Sequence, residues 1–138
     1  FESNTFTAGK SLKTAYLPWG QLGLSICYDL RFPKMFRKLA QKGAKFFSIP
    51  SAFTETTGKK HWHSLLKARA IENFCYIFAP AQYGTHWNKR KTYGHSVIIS
   101  PDGKILKELK KKEGVITVLV DPSLPKKMRS IIPSLKND

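Results

Sequence analysis

The residue in this sequence best placed for covalent chemistry is Cys27, which closes the run Gln21–Cys27 in which Leu22, Leu24 and Ile26 alternate with smaller residues. Such alternation predicts a strand. A thiol at the carboxyl end of a strand and just before a helix has the placement of a nucleophile, because helix amides and the macrodipole favour thiolate over thiol. The amide of Tyr28 could then donate to the oxyanion formed at an attacked carbonyl. The competing reading of any free cysteine is a small buried hydrophobe, and Cys75, inside the apolar run Phe74–Ala79, suits that reading better.

Other side chains near these positions have chemistry to offer. Arg31 carries a planar guanidinium suited to a substrate carboxylate, or it makes a structural ion pair with Asp29 or Glu72. Phe53 and Thr57 fall in a loop after a predicted strand, where α/β proteins build pockets, and they either line one or pack as a lid. His61 and His63 flank Trp62 on a predicted helix and face different directions, which argues against a shared metal. His95 is expected to satisfy backbone groups at a strand start. No paired Cys-x-x-Cys or Cys/His cluster offers zinc ligands, and no cofactor is implied.

The elements that must position these residues alternate. After the strand ending at Cys27, Asp29 is a plausible N-cap and Pro33 suits a first turn. Met35, Phe36, Leu39 and Ala40 then recur at helical spacing up to the stop at Gly43. Lys45–Pro50 reads as a short buried strand. A helix with Trp62, Leu65, Leu66 and Ile71 on its apolar face follows, and then a strand over Phe74–Ala79. Strands at His95–Ser100 and Lys104–Leu106 flank the turn Pro101-Asp102-Gly103 and predict a hairpin. Val115–Val120 reads as one more strand before a basic, helical tail. The alternation of strand and helix predicts an α/β layered fold in one domain.

Composition narrows the functional classes. With 41% hydrophobic residues and no low-complexity tract, the chain can bury a core. Its apolar runs are shorter than the ~20 residues that span a bilayer, so a protein off the membrane is expected. Two lone cysteines suggest free thiols and the cytoplasm. The first residue is Phe1 rather than Met and nothing reads as a signal peptide, which suggests a fragment. A net charge of +15 raises the question of nucleic acid. The lysines are dispersed, however, and the dense run Lys107–Lys112 is broken by Glu108 and Leu109, so a solvated basic exterior is the better reading. An anionic substrate is a milder consequence of the same charge.

Several segments together carry a resemblance. Gly23-Leu24-Ser25-Ile26-Cys27-Tyr28-Asp29-Leu30-Arg31-Phe32-Pro33 closely resembles the nucleophile segment of the nitrilase superfamily of carbon–nitrogen hydrolases. Phe1–Gly9 is similar to that family's Glu-Ser-x-Thr-x-x-x-Gly loop. Pro50-Ser51-Ala52-Phe53-Thr54, Thr57-Gly58, His61-Trp62 and Ala68–Asn73 also match. So do Ala79-Pro80-Ala81-Gln82, Tyr93-Gly94-His95-Ser96 and the tail Arg129–Leu135. The resemblance spans essentially the whole chain in order, and its wording is nearest to the deaminated-glutathione amidase and ω-amidase branch.

The resemblance implies an αββα sandwich, of which residues 1–138 are the C-terminal part, and a homodimer paired through helices. It implies a cysteine amidase in which Cys27 attacks a carboxamide, ammonia leaves and water hydrolyses the thioester. The substrate it implies is a small ω-amide or a deaminated-glutathione-like amide, with a nitrile or an N-carbamoyl compound as the alternative. Glu2 stands where the family's second Glu orients a lysine. The family's base Glu and its Lys have no counterpart here, so this chain alone is expected to be inactive. A catalytically incomplete basic module that binds anionic partners is the reading from a different functional class. Relatives often carry Glu where His63 and Lys34 stand, and both differences add positive charge.

Overall fold

The computed structural model describes residues 4–138, so Glu2 lies outside the described residues. A six-stranded mixed sheet runs in the order β1-β2-β3-β4-β7-β8. β1 (Lys13–Leu17) pairs antiparallel with β2 (Gly20–Leu24). β2, β3 (Ala44–Ser48) and β4 (Tyr76–Ala79) are parallel. β7 (Val97–Ile99) returns antiparallel beside β4, and β8 (Ile105–Glu108) completes the hairpin around Pro101-Asp102-Gly103 as expected. A separate two-stranded ribbon, β5 (Tyr83–Thr85) with β6 (Lys91–Tyr93), stands after the end of β4. The α/β expectation holds, and the parallel centre follows from two helical crossovers.

The first crossover is α1 (Pro33–Gln41), which buries Phe36, Leu39 and Ala40 and ends where Gly43 takes a φ of 112°, open to glycine at no steric cost. The second begins with a single turn, α2 (Glu55–Thr57), continues through a π-turn at Gly58–Trp62, and becomes α3 (His63–Asn73). Gly58 has a reason to lack a side chain: a Cβ there would lie 2.4 Å from that of Tyr93. Trp62 and Leu66 are fully buried, but Ile71 is 49% exposed and lies beyond the apolar face expected of it. Both crossovers pack on one sheet face, where Phe47, Ile49, Ile77, Ala79, Val97 and Ile99 join Phe36, Leu39, Trp62 and Leu66 in one core cluster. On the other face Phe46 stacks on Tyr76 and Phe78, with ring centroids 5.6 and 5.9 Å apart.

Two expectations need correction. Val115–Val120 is not a strand: among the described residues it has no ladder partner, although its burial alternates, with Val115 and Leu119 outward. Alternation makes a segment competent for a sheet, but only a neighbouring backbone makes it a strand. Asp29 is not the N-cap of α1. Residues Cys27–Arg31 form a separate 3-10 turn, Phe32 interrupts it, and Pro33 starts α1. Proline at a first helical position suits its fixed φ and missing N–H, and it restricts Phe32 before it to non-helical backbone. The basic tail does form a helix, α4 (Leu124–Ile131).

Candidate active site

The three parallel strands end side by side, and the residues just past them continue the ladder. Ser25 N donates to Ser48 O (3.1 Å), Cys27 N to Pro50 O (2.9 Å), Ser51 N to Pro80 O (2.9 Å) and Gln82 N to Ser51 O (2.9 Å). These bonds bring Cys27, Ser51 and Ala81 to one edge, at the carboxyl ends where open α/β sheets tend to bind ligands. A cleft of about 690 Å³ opens there. Ile26 and Cys27, Pro50–Ala52 and Pro80–Gln82 form its strand side, while His86 of the ribbon and the segment Lys112–Gly114 contribute across it.

Cys27 is half-buried, a free thiol, and lines this cleft. Its backbone is left-handed, with φ 45°. A non-glycine residue held in this region costs on the order of 1–3 kcal/mol and persists only where its surroundings over-determine it. Here the determinants are visible: its own N–H is tied to Pro50 O, and Asp29 Oδ2 accepts from Ile26 N at 2.9 Å. The Tyr28 N–H, on the first turn of the following 3-10 segment, has no acceptor among the described residues. Thiol and open donor are thus on adjacent residues, of which Cys27 lines the cleft and Tyr28 does not. Because α1 begins only at Pro33, its dipole does not abut the thiol, and the local backbone donor takes the place of the helix expected there.

Arg31 and Phe53 meet elsewhere, Thr57 contacts Thr54, and none of the three lines the cleft. The Arg31 guanidinium sits 5.3 Å over the Phe53 ring and 6.0 Å from the Tyr28 ring, with Nη2 3.3 Å from His61 Nδ1. It pairs with neither Asp29 nor Glu72. Arg69 takes Glu72 instead, and also donates to Leu30 O. Phe53 is buried against Trp62, and Thr57 closes the capping turn with Thr54 (Oγ1 to Oγ1, 2.7 Å). His61 turns to Arg31 while His63 pairs with Glu108, so the two histidines diverge. His95 Nδ1 lies 2.9 Å from Tyr93 O, and its carbonyl accepts from Trp62 Nε1 (2.9 Å).

Cys75 has opposite surroundings. It is fully buried, donates to Ala44 O (3.3 Å), and receives the Arg129 Nη2 at 3.1 Å. Burial pushes its pKa up to about 12 against the opposing pull of Arg129, so the thiol stays protonated.

Sequence reasoning singled out neither His86 nor Lys112. Gln82 was in view only as part of a matching segment. His86 and Lys112 sit in a ribbon loop and an irregular segment, where periodicity carries no signal.

The fold and the site define a mixed α/β protein with a strained, accessible cysteine at the ends of its parallel strands. Comparison with known proteins places it further. The family described as Carbon-nitrogen hydrolase matches residues 1–130, and the chain belongs to that family, within the nitrilase superfamily. It is 47% identical to a deaminated glutathione amidase of Synechocystis sp., over 99% of this chain and 51% of that protein. The crystal structure of the C. elegans NitFhit protein superposes with a TM-score of 0.94 at 40% identity, covering 99% of this chain and 34% of that one. An amidase mutant from Nesterenkonia sp. superposes with a TM-score of 0.73 at 30% identity, over 82% of this chain and 43% of that one. That amidase shows covalent addition of the acetamide moiety of fluoroacetamide at its active-site cysteine. The chain spans about half the length of the curated relatives it matches.

Proposed function

We propose that residues 1–138 are the C-terminal part of one carbon–nitrogen hydrolase domain that hydrolyses a small ω-amide or a deaminated-glutathione-like amide through a Cys27 thioester. The supporting observation is the left-handed Cys27 at the cleft with the Tyr28 N–H, which has no acceptor among the described residues, on the next residue. In this reading the Cys27 thiolate adds to the carboxamide carbon, and the Tyr28 N–H stabilises the resulting oxyanion. The proton taken from the Cys27 thiol is returned to the amide nitrogen, and collapse then expels ammonia and forms the thioester. Water then attacks that thioester, releasing the acid and returning the thiol. Proton transfer falls to a base Glu, and further stabilisation to a Lys aligned by Glu2; base and Lys belong to the part of the domain outside residues 1–138. These residues alone are therefore inactive.

Arg31 is the proposed contact for a substrate carboxylate, with Phe53 and Thr57 as further proposed substrate contacts, supported by a guanidinium that meets no carboxylate among the described residues. The working protein is a cytoplasmic homodimer and needs no cofactor; free cysteines are consistent with a reducing compartment. No helix among the described residues is long and apolar enough to cross a membrane. The test joins residues 1–138 to the N-terminal half of the Synechocystis relative and measures ammonia release from ω-amides. Turnover that survives Cys27→Ser, or turnover by residues 1–138 alone, contradicts the proposal.

A further inference from the structure

Among the described residues no aromatic side chain is more exposed than Trp87, at 96%. No other ring packs on it there, and no cation sits over it. An indole offers about 150–250 Å² of contact area to a partner. Here both faces of the ring stay open.

The ring is held out by ordered backbone. Tyr83, Gly84 and Thr85 of β5 pair with Tyr93, Thr92 and Lys91 of β6, and the loop between them closes on itself. His86 N donates to Arg90 O and Lys89 N to His86 O, both at 2.8 Å, and Arg90 N donates to Asn88 Oδ1 at 3.0 Å. Lys89 takes left-handed backbone, φ 61°, at the position that glycine favours in a three-residue hairpin loop. A lysine there is strained and persists because its surroundings hold it. The loop thus fixes Trp87 and Asn88 at its tip.

Positive charge gathers at the same tip. Lys89, Arg90 and Lys91 are exposed, and none makes an ion pair among the described residues. No Asp or Glu occurs between Glu72 and Asp102, so the ribbon carries no carboxylate to neutralise them. Dispersed lysines suit a solvated exterior, but these three cations follow a bare aromatic ring within one hairpin loop.

That combination discriminates among anionic partners. A tip that enters a lipid surface needs a continuous apolar face, and Trp87 is flanked by His86, Asn88 and Lys89. An acidic peptide satisfies the cations and offers no flat group to the ring. A second copy of this chain, with a net charge of +15, is repelled. Nucleic acid bases are flat and each carries a phosphate close by. Stacking on an aromatic side chain beside cations is how proteins hold single strands without reading sequence.

We propose that the β5–β6 tip is a binding surface for single-stranded nucleic acid, with a base stacked on Trp87 and phosphates paired to Lys89, Arg90 and Lys91. This surface is separate from the Cys27 chemistry, and it stands or falls without the amidase reading.

The experiment measures fluorescence anisotropy of fluorescein-labelled dodecauridylate with residues 1–138. Log affinity falls against log salt with a slope of about −2, as three phosphate contacts to a single strand require. Trp87→Ala and Trp87→Leu each weaken binding about fivefold or more, the loss of one base stack, while Trp87→Phe keeps most of it. Joint Lys89→Ala, Arg90→Ala and Lys91→Ala substitution removes about two units of the salt slope. Trp87→Ala leaves the urea midpoint unchanged, because the ring packs on nothing, and so separates lost binding from lost folding.

Undiminished binding by Trp87→Ala, or equal binding by Trp87→Leu and the parent chain, overturns the stacking surface. Equal competition by polyglutamate overturns it as well, as does Trp87-dependent binding to phosphatidylcholine–phosphatidylserine vesicles that dodecauridylate fails to compete. The measurement is repeated on the chain joined to the N-terminal half of the Synechocystis relative. Loss of the Trp87 dependence there means that the other half covers the tip, and it overturns the proposal.

Discussion

The two cysteines make an informative pair because they share a side chain and almost nothing else. Cys27 sits in left-handed backbone at a cleft, beside an amide N–H that lacks an acceptor among the described residues. Cys75 sits in the apolar core with its thiol bonded to Ala44 O and its proton held by burial. One position spends conformational energy to expose a sulfur, and the other uses the sulfur to fill space. The difference between the two thiols lies in placement, one just past the end of a parallel strand and the other inside the core, rather than in residue type.

The contrast is broken most directly by substitution in the completed domain. Cys27→Ser should abolish ammonia release, a loss on the order of 10⁴-fold or more, whereas Cys75→Ser should retain most of it; similar losses from both would erase the distinction. Alkylation sharpens the point on residues 1–138 alone. Iodoacetamide under native conditions should modify Cys27 and spare Cys75 until the chain is denatured, as read by peptide mass spectrometry.

Smaller effects probe what holds each sulfur. Arg129 reaches Asn73 O (3.1 Å), Ala44 O (2.7 Å) and Cys75 Sγ, tying α4 to the ends of α3 and β3. Arg129→Met should cost about 2–3 kcal/mol in denaturant unfolding, because buried acceptors lose a charged donor. Asp29→Ala removes the acceptor for Ile26 N and should cost about 1 kcal/mol. That variant should also lower turnover, since the turn that holds Cys27 loosens.

The Cys75 thiol adds a pH signature. Below its ordinary 9.0 it is protonated in both folded and unfolded chains. Between 9.0 and about 12 the unfolded chain loses the proton while the folded one keeps it, so stability falls as pH rises through that window. Cys75→Ala should remove this part of the alkaline decline, measured by urea midpoints across the range.

Much of this architecture was legible in the residues. The Leu22/Leu24/Ile26 alternation, the stop at Gly43 and the Pro101-Asp102-Gly103 turn placed β2, α1 and the β7–β8 hairpin, because each signal is local and the tertiary fold agrees with it. The motif around Cys27 pointed to the family that the comparisons establish. Arg31 was legible as a cation in want of a partner, but not as one stacked on Phe53 away from the cleft. His86 left no trace, since its position depends on a ribbon whose register, Tyr83 to Tyr93, joins residues that no short window compares.

What the sequence determined by itself is chemistry carried along a single stretch of chain: a strand that stops at Leu24, three residues short of the cysteine expected to end it, and the pattern that marks a carbon–nitrogen hydrolase. Tertiary structure decided which groups share a cleft, because Pro50, Gln82, His86 and Lys112 meet Cys27 only when three strands pair in parallel and the ribbon folds beside them. It decided equally that Val115–Val120 stays unpaired among the described residues. A strand is a relation between two backbones, and alternation within one of them cannot supply the other.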